Sequence, residues 1–289
     1  MAAATSFTHM ITSVCERRFP QAYANAGDVC GLTIGTLKDV ERGDAAVVLL
    51  CVDLTEQVLA EAISLHATTI ISYAPVPHAP IRAIRTDEIV GRIVLRCAQQ
   101  SISVHSLHSA AANAPDGVAD WLAKSIAKGA SRPVIPHPDN SEAGEGRLLE
   151  CDEAMSLSAI IDRIKAVLSV RHLRVALGAV VDEHHFERAA ESCFVNQLVV
   201  QVGERPHLLH HVLQHAGAAH AGIFLTSEMT HADVLAANAR GLIVILTGQS
   251  TVEHAFMRQL RQDMQDELLN SEWAVKVKCA ETSHGLIVV

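Results

Sequence analysis

The 289-residue chain has no long apolar run. Its longest, Ala45 to Val52, is far short of the roughly 18 to 20 residues that a membrane-spanning helix needs, so no membrane association is expected. A dense block of lysine and arginine is also missing, and the formal net charge is −9. Affinity for phosphate backbones comes from neutralising phosphates, so direct nucleic-acid binding is not expected either. The seven cysteines, at 15, 30, 51, 97, 151, 193 and 279, contain no Cys-x-x-Cys pair and are odd in number. That pattern predicts reduced thiols, several of them buried as small hydrophobes. A cytoplasmic location follows, with mitochondrial or nuclear placement left open. Nucleophile elbow, Walker sequence, paired-cysteine zinc motif and dinucleotide fingerprint are all absent.

What is present is a soluble-type α/β pattern. Apolar residues make up 49% of the chain, enough for one large core or two smaller ones at about 100 to 200 residues per domain. Runs of strand character lie at Val47 to Val52, Thr68 to Ser72, Ile102 to His105, Val199 to Val202, Ile223 to Leu225 and Leu242 to Leu246. They alternate with helical periods at Thr55 to Leu65, Thr86 to Gln99, Gly117 to Ala127, Ser156 to Leu168, Pro206 to His215, His231 to Ala239 and Val252 to Glu267. Such alternation predicts βα units with largely parallel or mixed sheets. Arg17 and Arg18, with Glu16 the only acid in the first twenty residues, faintly suggest a transit peptide. Phe7, Met10, Ile11, Val14 and Cys15 recur at helical spacing and instead predict a first amphipathic helix. Asp53-Leu54-Thr55-Glu56 reads as a capping box, and Pro206 suits a first helical position. Trp273 to Cys279 and Gly285 to Val289 read as final strands near a sheet edge. From Gly129 to Arg147 the composition turns to Ser, Pro, His, Gly and Glu, which reads as a linker between a lobe of about residues 1–130 and one of about 148–289.

Three turns after apolar runs occupy the strand-end positions where α/β proteins place their chemistry: Ser72-Tyr73-Ala74-Pro75, His108-Ser109-Ala110-Ala111-Ala112 and Gln249-Ser250-Thr251-Val252-Glu253. Together with Asp28-Val29-Cys30-Gly31-Leu32, Asp116-Gly117-Val118-Ala119-Asp120-Trp121-Leu122-Ala123 and Leu225-Thr226-Ser227-Glu228-Met229-Thr230-His231-Ala232-Asp233, they make the chain resemble the NGG-one-interacting factor three family. Bacterial members are often labelled GTP cyclohydrolase type 2 homologues. The resemblance runs over essentially the whole chain, includes a helix-strand segment similar to the eukaryotic branch at Ser156 to Gly178, and leaves no room for the middle domain that many bacterial members insert.

The resemblance implies a two-lobed α/β fold, a dimer-based homo-oligomer as large as a toroidal hexamer, and a dinuclear metal centre. The ligand positions carried over from that family are Tyr73, Ala74, Ala112, Gln249 and Glu253. Alanine has no donor atom, and a neutral amide oxygen is a poor ligand for first-row metals beside imidazole or carboxylate. Only Glu253 is a retained family ligand, so the ancestral two-metal template is not encoded. The expectation is a non-catalytic regulatory or interaction protein with a protein partner and no cofactor. The alternative is a metal-dependent hydrolase acting on a nucleotide-like or phosphorylated small molecule, with a single divalent metal in a site remodelled around Glu228, His231 and Glu253, and with His78 or His105 supplying a missing nitrogen. His108 and His231 are expected to be polar remnants, hydrogen-bonded to backbone carbonyls.

His207, His211 and His215 form an i, i+4, i+8 ladder, with His210 beside them, on a helix whose buried stripe is Leu208, Leu209, Val212 and Leu213. The ladder is therefore expected to face solvent and to bind nickel or zinc adventitiously, as is His184-His185 in a polar turn. Gly203-Glu204-Arg205-Pro206 holds the strand-to-helix position of a phosphate cradle, but Glu204 repels phosphate and Pro206 lacks a donor.

Overall fold

A computed structural model describes residues 6–41, 43–178, 186–203, 205–215 and 222–282. His184-His185, Glu204 and the strand expected at Gly285 to Val289 lie outside them. The chain forms two compact units, Met1–Ala111 with Phe256–Val289, and Ala112–Ala255.

The first unit is built on a five-stranded sheet of order β1-β4-β3-β2-β13, from β1 (Gly31–Ile34), β2 (Ala45–Cys51), β3 (Thr69–Ser72), β4 (Ser103–Ser106) and β13 (Ala274–Cys279). β13, β2, β3 and β4 run parallel and β1 joins antiparallel. Parallel strands buried on both faces read as unbroken apolar runs, which is why Val48, Leu49, Ile70 and Ile71 are fully buried. One face packs against α2 (Glu56–Ser64) and α3 (Ile89–Gln100), through Val58, Leu59, Ile93 and Cys97. The expected amphipathic first helix forms as α1 (Phe7–Arg18), with Phe7, Ile11, Val14 and Cys15 buried and the Phe7 ring edge-on to Trp273 at 5.6 Å.

The capping box expected at Asp53 is not formed. Thr55 is the N-cap of α2, accepting from the Val58 N–H at 3.2 Å, and Glu56 bonds Arg92 instead of closing the box.

The second unit is built on a six-stranded sheet of order β5-β8-β10-β11-β12-β9. Its strands are β5 (Gly129–Arg132), β8 (Arg147–Ser156), β9 (Arg174–Ala176), β10 (Phe194–Val200), β11 (Ile223–Thr226) and β12 (Ile243–Leu246). β10, β11 and β12 are parallel, and the other pairings are antiparallel. A small ribbon of β6 (Ile135–His137) and β7 (Asn140–Glu145) stands apart. α8 (Pro206–His215) and α9 (His231–Ala239) cover one face through Leu209, Val212 and Ala237. α4 (His108–Asn113), α5 (Val118–Ile126), α6 (Leu157–Leu168), α7 (Phe186–Ser192) and α10 (Thr251–Leu268) complete the described helices. α4 and α10 carry the chain from one unit into the other.

Residues 129–147 are thus not a linker. They supply β5, β6, β7 and the start of β8, and the units divide at Ala111 and Ala255 instead. A strand ladder is made of backbone hydrogen bonds, so an edge strand and a ribbon rich in polar residues and proline form without an apolar run. β10 likewise starts at Phe194, ahead of the expected Val199, because its first half alternates exposed and buried residues while pairing with β8.

Arg147 organises this region. Its guanidinium is 1% exposed and donates to five carbonyls, those of Asn113, Ala114, Glu142, Gly144 and Gly146. Its Nε lies 3.5 Å from Asp120, which also accepts from Ser131 at 2.6 Å and Lys124 at 2.9 Å. Burial pushes the Asp120 carboxyl up, but these donors outweigh it and hold the group below the usual carboxylate range.

Two outcomes follow for stability. Arg147→Ala, which strands a buried carboxylate and several carbonyls, lowers the unfolding free energy by about 3–5 kcal/mol in urea titrations. The contribution of Asp120 is fully present above the ordinary carboxylate pKa and fades as pH falls below it, because its folded-state pKa is depressed. The penalty of Asp120→Asn therefore shrinks between neutral and strongly acidic pH.

Candidate functional site

In the first unit, β3 and β4 end side by side, with Ser72 in register with Ser106 and their hydroxyls 3.1 Å apart. The backbone ladder continues beyond both strands. Tyr73 N–H donates to the Cys51 carbonyl at 2.9 Å, Ala74 N–H to Val52 at 2.8 Å, and His108 N–H to Tyr73 at 2.8 Å. Main-chain bonds therefore fix three positions of interest: the Tyr73 ring, the Ala74 methyl and the His108 imidazole, which meets Tyr73 edge-on at 6.0 Å.

His108 opens α4 at φ +33°, a left-handed angle that costs a non-glycine residue about 1–3 kcal/mol. What holds it is Asp28. The His108 Nδ1 lies 2.7 and 2.6 Å from the two Asp28 oxygens, and the Ser109 N–H (3.2 Å) and hydroxyl also donate to that carboxylate. Ser109 Oγ in turn accepts from the Asn25 N–H at 2.9 Å. Burial pushes Asp28 up, but the hydrogen bonds from His108 and Ser109 outweigh it, holding the carboxyl far below the usual range. Asp28 is therefore ionised and acceptor-only, so Nδ1 of His108 carries the proton. In the neutral ring the lone pair then sits on Nε2, in a side chain that is 42% exposed. A carboxylate behind an imidazole fixes its tautomer and orientation, which leaves Nε2 as the outward-facing acceptor. Cys30 is close by, with its thiol 3.4 Å from the Leu107 carbonyl, and burial pushes it up to about 11, so it is no nucleophile.

His108 was expected to bond a backbone carbonyl and bonds a carboxylate instead. Sequence reading gave Asp28 no role, because 80 residues separate the pair and a lone Asp carries no local signal. Of the two histidines expected to replace a missing nitrogen, His105 lies inside β4, 3% exposed and pushed down to about 4 by burial, while His78 is exposed beyond β3.

In the second unit, Ala112 lies one turn after His108 on α4 and is buried, Gln249 is exposed in the turn after β12, and Glu253 is buried in the first turn of α10. Glu228 is ion-paired with Arg174, and His231 is the exposed first residue of α9, not a group bonded within a core. The remodelled site around Glu228, His231 and Glu253 is not assembled: among the described residues no three His, Cys, Asp or Glu side chains are grouped to hold a metal. The histidine ladder faces solvent at His207, His210 and His215, with only His211 half-buried. His207 bonds Glu145 at 2.7 Å, His210 lies 3.4 Å from Asp233, and His211, half-buried, stacks on His215 with ring centres 4.1 Å apart. At the turn after β10, Gly203 N–H donates to Ser227 and Arg205 binds Asn113 and Glu145, so neither is open to a phosphate.

With fold and geometry in place, the comparisons with known proteins are decisive for ancestry. The family model for Duf34/NIF3 (NGG1p interacting factor 3) matches residues 8–285. The chain belongs to this family. A Schizosaccharomyces pombe protein, "Protein NIF3 homolog", is 29% identical over 257 residues, covering 86% of each chain. A Clostridium perfringens "GTP cyclohydrolase 1 type 2 homolog" is 30% identical over 166 residues, covering 57% of this chain and 62% of its own length. The crystal structure of a Bacillus cereus protein related to NIF3 shares the fold with a TM-score of 0.77 at 19% identity, over 99% of this chain and 100% of that one.

Removing the carboxylate behind His108 has a readable effect. Asp28→Asn lowers stability at neutral pH by about 1–3 kcal/mol, the cost of leaving buried donors poorly paired. Because Asp28 is depressed when folded, its contribution is present above the ordinary carboxylate pKa and is lost as pH falls. Denaturation of parent and variant side by side at neutral and strongly acidic pH shows the gap closing with acid.

Proposed function

We propose that this DUF34/NIF3-family chain is a non-hydrolytic member with a largely eroded dinuclear metal site, acting as a regulatory or interaction protein. The observation that carries this reading is chemical: methyl groups at Ala74 and Ala112 occupy two of the ligand positions, and neither can donate to a metal. Gln249 adds a neutral amide and Tyr73 a phenol, leaving Glu253 as the one strong donor of that set. The family description, an interacting factor, agrees with a binding role. Self-association as a dimer-based oligomer belongs to the same proposal, as does a reducing, cytoplasmic compartment, which the seven free thiols support. Among the described residues no helix is long and apolar enough to cross a membrane.

One observation favours the enzyme alternative, a metal-dependent hydrolase of a nucleotide-like or phosphorylated molecule. The Asp28-backed imidazole of His108 is poised as a base or as a ligand for a single divalent ion. One nitrogen is not a site by itself, and the second reading needs further donors.

Elemental analysis of untagged protein tests the proposal. Well under one metal per chain is expected, with no metal-stimulated phosphate-ester hydrolysis, and two stoichiometric ions would overturn it. Restoring ligands tests the erosion directly. Ala74→His with Ala112→Asp and Gln249→His is expected to gain zinc or manganese binding over the parent in calorimetric titration, since affinity needs ligand identity and preformed geometry together. A folded triple variant with no gain would mean the framework has been repacked for another use.

A further inference from the structure

β13 stands at one end of the five-stranded sheet, with β2 on its inner side and no strand on its outer side. An open strand edge is a template for pairing with another chain, and proteins close such edges by specific devices. Here the closure is a side chain. Gln265 on α10 lays its carboxamide against the strand: Nε2 donates to the Val275 carbonyl at 3.1 Å, and Oε1 accepts from the Val277 N–H at 2.9 Å. Those two groups flank Lys276. In a parallel ladder they are the pair that a single residue of the next strand would bond, so the carboxamide takes the place of a neighbouring peptide unit.

The charge along this edge is largely of one sign. Lys276 is exposed and Lys278 half-buried on the strand itself. Arg261 and Arg258 precede Gln265 by four and seven residues, on the same face of α10. Burial pushes the thiol of Cys279, the last residue of β13, up, and Arg261 and Arg258 pull against that, which places both beside the strand end. The nearby acids are engaged or turned away. Asp263 and Glu267 meet Arg17 and Arg18 of α1, and Asp266 lies about 100° round the helix from Gln265. Glu61, which Lys278 also feels, already accepts from Glu281 and Thr282. In a chain of net charge −9, this edge is cationic.

A second copy of β13 suits the edge badly. Val275 and Val277 turn their bonding groups outward, so antiparallel self-pairing sets valine opposite valine and therefore lysine opposite lysine, which is destabilising. An acidic strand brings the complementary charge.

We propose that the outer edge of β13 is a docking surface for an extended peptide with acidic residues at alternate positions, and that Gln265 is the plug which the docking strand displaces. This gives the interaction role a partner class at a surface that uses none of the metal-ligand positions, so metal analysis and peptide titration succeed or fail separately.

The probe is fluorescein-labelled Val-Glu-Val-Glu-Val, titrated into full-length protein and followed by anisotropy. Its controls are the peptide with lysine in place of glutamate, and Val-Glu-Pro-Glu-Val, which keeps the charge but cannot complete a strand ladder. The acidic peptide is expected to bind Gln265→Ala about tenfold or more tightly than it binds the parent, and to outbind both controls by about the same factor. Without peptide, the Val277 amide is expected to exchange about tenfold or more faster in Gln265→Ala than in the parent, and to regain protection when the acidic peptide is bound. Gln265→Met, close to glutamine in length but without the amide, takes its place if the alanine variant does not fold. Equal binding of the proline peptide would leave charge alone as the cause. Equal peptide affinity in parent and variant, or an unchanged Val277 amide, would remove the plug, and self-association of the variant would give the edge to a second copy. Each of these results overturns the proposal.

Discussion

A single guanidinium, that of Arg147, sets the architecture of the second unit. Fully buried charge survives in a protein only where its donors are satisfied, and here carbonyls from the end of α4, from β7 and from the turn into β8 all point at one group. Asp120, on α5, supplies the opposing charge. The consequence reaches beyond local packing. α4 starts with His108 and ends at Asn113, so the same arginine that closes the β7–β8 turn also terminates the helix that displays the imidazole.

The first unit uses the opposite sign for the same purpose. Asp28 gathers donors from His108 and Ser109 as Arg147 gathers acceptors, and in doing so fixes a left-handed residue and a ring tautomer at once. Both devices link segments distant in sequence through a charge saturated with hydrogen bonds. The difference is exposure: Arg147 is closed off, whereas the far side of the His108 ring reaches solvent.

These two devices also mark where sequence reading stops. The parallel strands were legible because burial on both faces leaves uninterrupted runs such as those ending at Cys51, Ser72 and Leu246. The family was legible as motifs in a fixed order, and the family model that matches residues 8–285 agrees with that resemblance. Residues 129–147 misled because strands at an edge need only main-chain partners, and Ser, Pro and Gly do not announce them. Asp28, Asp120 and Arg147 could not be assigned roles, because what defines each is a partner or a degree of burial that no local pattern encodes.

The ladder that extends past β3 and β4 has a bearing on how this protein could have changed over time. The peptide groups of residues 73 and 74 bond Cys51 and Val52 and that of residue 108 bonds Tyr73, whatever side chain each position carries, while Asp28 adds a side-chain hold on His108 alone. Exchange of the Ala74 side chain leaves these main-chain bonds in place, so selection acting on the ladder alone is blind to which residue stands there. Such a frame can drift between chemistries, or rest between them, for as long as the main chain keeps its partners.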